Sequence, residues 1–92
     1  MAHLPILRDK KRVIETGEFE FETYVSKKEL INFLKNLIEQ MEHGNEVTIS
    51  SDEWEINFNF TEPVEVEIEL NSDERKLEIE IEFRQRSKIQ SG

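Results

Sequence analysis

Cysteine is absent from this 92-residue chain, which excludes a disulfide framework and a thiolate metal site. Glycine occurs three times, at Gly17, Gly44 and Gly92. That scatter excludes a glycine-rich phosphate loop. No apolar run approaches the ~20 residues of a membrane-crossing helix, so no membrane partner is expected. In MAHLPILRDKK the charges follow a very short apolar run, the wrong order for a secretory leader, and a cytoplasmic setting is expected. His3 and His43 are the two histidines; His3 stands too isolated to act as a metal-binding tag.

What is abundant is negative charge. The net charge is −9, with 36% charged and 36% hydrophobic residues. Residues 1–14 carry +3 and residues 84–92 another +3, which leaves −15 on the stretch between them. Three segments follow: a basic arm at 1–14, a folded body at 15–83 and a basic tail at 84–92. Such a body repels nucleic acid and anionic membranes and favours a basic protein partner. The length suits one domain with a single core.

The helix signal is local and strong. Ser26 is placed as an N-cap with Glu29 three residues on, a capping box, and Val25 with Leu30 can staple it. Leu30, Phe33, Leu34, Leu37, Ile38 and Met41 then trace one apolar stripe. Gly44 is expected to end the helix in a left-handed conformation. The helix is predicted over residues 27–42.

Elsewhere apolar residues alternate with period two. Phe19, Phe21 and Val25 oppose Glu18, Glu20 and Glu22; Val47 and Ile49 make a short run. Trp54, Ile56, Phe58 and Phe60 follow, then Val64 to Leu70, the turn NSDER, and Leu77 to Phe83. Short turns between such runs imply antiparallel neighbours. The predicted fold is α+β, ordered β-α-β-β-β-β, with one helix packed on one face of an antiparallel sheet. Glu65, Glu67, Glu69, Glu78, Glu80 and Glu82 then form an acidic face on the other side. Five strands at ~4.8 Å spacing span about 24 Å, whereas one helix covers ~10 Å. The uncovered apolar area calls for Leu4, Ile6 and Leu7 of the arm, a second copy in a homodimer, or another partner.

The pattern resembles the amphi-Trp domain family of small prokaryotic proteins. The resemblance rests on GEFEFE, on KKELINFLKNLIEQMEHG running into NEVTIS, on TEPVEVEIEL and on RKLEIEIEF, from about Glu15 to Phe83. The family's name marks a tryptophan near the end of the domain. Phe83 holds that place here, so a packing role carries over but one needing an indole N–H does not. Trp54 lies elsewhere and is expected to pack at the core or its margin. The resemblance implies no catalytic residue and no cofactor.

No catalytic pattern arises from the residues themselves. The carboxylates are expected on an open, wet face, where acid–base tuning is weak, and the protein is not expected to be an enzyme. His43 suits a helix C-terminus; with Glu39 and Glu46 it lacks the spacing of a zinc site. Tyr24 is expected to be exposed. Arg84, Arg86 and Lys88 read as a solvated tail or a tether across the carboxylate face. The expected function is a non-enzymatic protein-interaction or assembly module with an acidic sheet face. The alternatives are an acidic decoy that imitates nucleic acid and a small-ligand carrier.

Overall fold

The computed structural model describes residues 12–86. The arm residues His3, Leu4, Ile6, Leu7, Arg8, Lys10 and Lys11 and the tail residue Lys88 lie outside the described residues. The elements are β1 (Arg12–Val13), α1 (Lys27–His43), β2 (Glu46–Ser50), β3 (Trp54–Asn59), β4 (Thr61–Asn71) and β5 (Lys76–Arg84). The α+β class and the order β-α-β-β-β-β are those the alternation predicts. The chain divides into two compact units, one ending at Phe58 and the other beginning at Asn59.

In the first unit, α1 begins as its caps dictate. The Glu29 amide donates to Ser26 Oγ at 3.1 Å, and the Ser26 amide donates to Glu29 Oε1 at 2.8 Å. Both orphan donors are thereby satisfied. The far end differs from expectation. Gly44 has φ 162°, extended backbone that any residue adopts, so the left-handed cap is not what stops the helix. His43 Nδ1 lies 2.9 Å from the Glu39 carbonyl oxygen, which gives that terminal carbonyl a side-chain partner.

α1 lies against β2; Leu37 and Val47 are buried, and Gln40 links the two elements. The Gln40 Oε1 accepts from the Thr48 amide at 2.6 Å, and its Nε2 donates to the Thr48 carbonyl at 3.1 Å. A helix side chain thus takes the place of a further strand at one position of an edge strand. The sheet order is β1-β3-β2, and the short 51–53 link makes β2 and β3 antiparallel neighbours.

The first strand departs from prediction. Residues 18–26 form no strand; β1 sits earlier, in the arm, and pairs parallel with β3, Arg12 beside Trp54 and Val13 beside Glu55. The Arg12 and Ile14 amides donate to the Glu53 and Glu55 carbonyls at 3.0 and 2.8 Å. Alternation makes a segment two-sided but gives its backbone no partner, and in this chain Arg12–Val13 holds the free edge of β3.

The second unit is a long antiparallel ribbon, β4 with β5, so the strands fall into two sheets. Its turn is held by the Glu74 amide donating to Asn71 Oδ1 at 3.1 Å and the Arg75 amide donating to the Ser72 carbonyl at 3.2 Å. Arg75 closes the turn at φ 54°, the left-handed step that brings β5 back along β4. At the other end the register shifts between Thr61 and Glu65 around a cis Glu62–Pro63 bond. Thr61 Oγ1 donates to the Arg84 carbonyl and accepts from the Arg86 amide, at 3.2 and 3.1 Å.

Candidate functional site

The ribbon's register sorts its side chains into two pure faces. Glu65, Glu67 and Glu69 stand directly opposite Glu82, Glu80 and Glu78. On the other face Val66, Ile68 and Leu70 stand opposite Ile81, Ile79 and Leu77. All six carboxylates expected to form an acidic face are therefore on one side of one ribbon. Arg84 relieves its end, with the guanidinium 2.6 Å from Glu82 Oε2. Arg86 reaches the Pro63 carbonyl instead, at 3.3 Å, so it holds the ribbon's base. At ~5 Å in water an opposed carboxylate pair costs somewhat under ~1 kcal/mol, which the ladder's hydrogen bonds tolerate.

The apolar face of the ribbon lies open. Its six side chains are between 45% (Ile81) and 71% (Leu70) exposed. Charge is absent from this stripe. At its base Phe83 packs on Phe60, ring centroids 4.9 Å apart, and Phe60 is buried.

The first unit holds a separate concavity of about 610 Å³. Its apolar wall includes Phe19, Phe21, Val25, Leu30, Phe33 and Trp54. The rings of Phe19 and Phe21 each meet the Trp54 ring at 5.0 Å between centroids, the first tilted and the second edge-on. Trp54 is half-buried and Tyr24 is 93% exposed. Ser50 and Ser51, both buried, and Glu29 are among its polar lining residues. Among the described residues no lysine or arginine lines it.

Sequence reasoning did not find this concavity. Its signals were present: the apolar parity of Phe19, Phe21 and Val25, and the SSDE break before Trp54. Their convergence depends on residues 18–26 leaving the sheet, which periodicity does not encode. His43 is occupied at the helix end, and among the described residues no three histidine, aspartate or glutamate side chains converge as metal ligands.

The fold and these faces define a small α+β protein built on an amphipathic ribbon and a capped helix. No helix among the described residues is long and apolar enough to cross a membrane. The chain belongs to the amphi-Trp domain family, whose model matches residues 12–91. The match takes in β1 and most of the basic tail, beyond the 15–83 body. Comparison with curated proteins and with solved structures yields no match.

Proposed function

We propose that the chain is a non-enzymatic assembly module in which the apolar face of the β4–β5 ribbon docks on the same face of a second copy. The observation that carries this reading is the open stripe of Val66, Ile68, Leu70, Leu77, Ile79 and Ile81. An isolated two-stranded ribbon is marginal in water, and a contiguous uncovered apolar stripe of this kind marks an association surface. A second copy suits the stripe because it is uncharged and would meet the same apolar side chains across a two-fold axis. At physiological salt, charge opposes the pairing only weakly. Stacked sheets lie ~10 Å apart, which puts the two outward carboxylate faces roughly 20 Å from each other. That exceeds the ~8–10 Å screening length at physiological salt.

The outer carboxylate faces then remain free for a basic protein partner, the second element of this reading. Direct nucleic-acid binding and membrane contact are not part of it, given the sign of the charge. The cytoplasmic setting expected from the sequence is retained. Solution mass measured across protein concentration tests the proposal, with a two-chain species expected and its loss on substituting the stripe. A one-chain mass throughout overturns it.

A further inference from the structure

We propose that the concavity beside Trp54 is a binding site for an organic cation with a hydrocarbon or aryl body. The inference uses only the first unit and is independent of ribbon pairing.

The shape and lining set the ligand's body. A volume of about 610 Å³ falls within the roughly 300–1,000 Å³ of sites that hold small organic molecules. Its walls are aromatic and aliphatic, with Phe19 and Phe21 set against Trp54 on one side and Val25, Leu30 and Phe33 on the other. Val25 and Leu30 are 48% and 44% exposed, so apolar surface is available to a ligand. Such surface favours a body without charge.

Electrostatics set the ligand's head. Among the described residues the lining has no lysine or arginine, and its charged member is Glu29. One Glu29 oxygen, Oε1, accepts the Ser26 amide at 2.8 Å, and a carboxylate has further lone pairs for a cation. A carboxylic acid or phosphate would meet repulsion there. A quaternary or alkylammonium head meets Glu29 and the faces of aromatic rings, which attract cations through their quadrupoles.

The chain carries its own reporter, because Trp54 is the single tryptophan and lines the site. Intrinsic emission is followed while the full chain is titrated with octyltrimethylammonium, octanol, octanoate or tetramethylammonium, all below micelle formation. The expected result is a saturable change with octyltrimethylammonium, at least tenfold weaker binding of octanoate, and no saturable change with tetramethylammonium. Val25→Phe fills the mouth from a half-exposed position and is expected to weaken the cation at least tenfold. Glu29→Gln keeps a capping-box residue and is expected to weaken the cation several-fold while leaving octanol unchanged. Absence of saturation with octyltrimethylammonium overturns the proposal. Equal affinity for octanoate overturns the cation preference, and an equal response to tetramethylammonium reduces the effect to counterion condensation. Unchanged affinity in Val25→Phe, with its helix signal intact, places binding elsewhere and also overturns it.

Discussion

Truncating one residue at the centre of the ribbon's open stripe should weaken self-association by an amount the exposures set. Ile68 is 65% exposed and faces Ile79, which is 63% exposed. Fully burying an isoleucine is worth ~1.5–3 kcal/mol, so the exposed share of Ile68 can contribute about 1–2 kcal/mol on docking. Alanine keeps roughly a quarter of that, which makes the loss about 0.75–1.5 kcal/mol per site. A two-fold interface contains the site twice, so Ile68→Ala should cost the dimer about 1.5–3 kcal/mol. At 1.4 kcal/mol per decade this is roughly a 10- to 100-fold rise in Kd. The figure is an upper range, because area bookkeeping overstates burial. Sedimentation equilibrium over a wide concentration range measures it directly. Glu80→Gln, on the opposite face, serves as the control and should leave Kd within about threefold. A Kd for Ile68→Ala within threefold of the parent, or an equal change in the control, would refute the reasoning.

Other positions give independent expectations. Ser26→Ala removes the Oγ that accepts the Glu29 amide and should cost about 0.5–2 kcal/mol in denaturant unfolding, with a fall in helical circular dichroism. Gly17, at φ 82°, and Gly44, at φ 162°, should respond in opposite directions to alanine although neither new methyl meets an atom within 4 Å. Gly17→Ala should destabilise by about 1–2 kcal/mol and Gly44→Ala should be neutral or stabilising by up to ~1 kcal/mol; equal effects contradict the backbone assignment. Glu80→Lys turns the Glu67–Glu80 opposition into an attraction and should raise stability by about 0.2–1 kcal/mol at low salt. That gain should shrink at ~1 M salt, where the screening length falls to about 3 Å.

The parts of this fold that the sequence made legible are those decided within a few residues of one another. Ser26 and Glu29 specify a cap by their spacing alone. The Val64–Phe83 stretch specifies its own register, because a one-residue slip would set carboxylates against isoleucines. The parts that stayed hidden were decided by competition at a distance. GEFEFE alternates as a strand does, but β1 occupies the edge of β3, and Phe19 and Phe21 pack on Trp54 instead. Gln40 reads as one polar position on a helix, yet it completes the edge of β2 at Thr48. Likewise, parity assigns Ile68 and Ile79 to an apolar face without saying what covers that face.

The two apolar surfaces share an acidic setting, and this makes their electrostatics separable. Ribbon pairing brings two negative chains together through uncharged side chains, so the field opposes the encounter and salt should strengthen association. A cation entering the concavity beside Glu29 is drawn by the same field, so salt should weaken its binding. Apolar burial alone would give both processes a similar response to sodium chloride. Opposite salt slopes for Kd and for the Trp54 titration would therefore assign the negative charge two roles in one chain, restraining self-association while recruiting a cation.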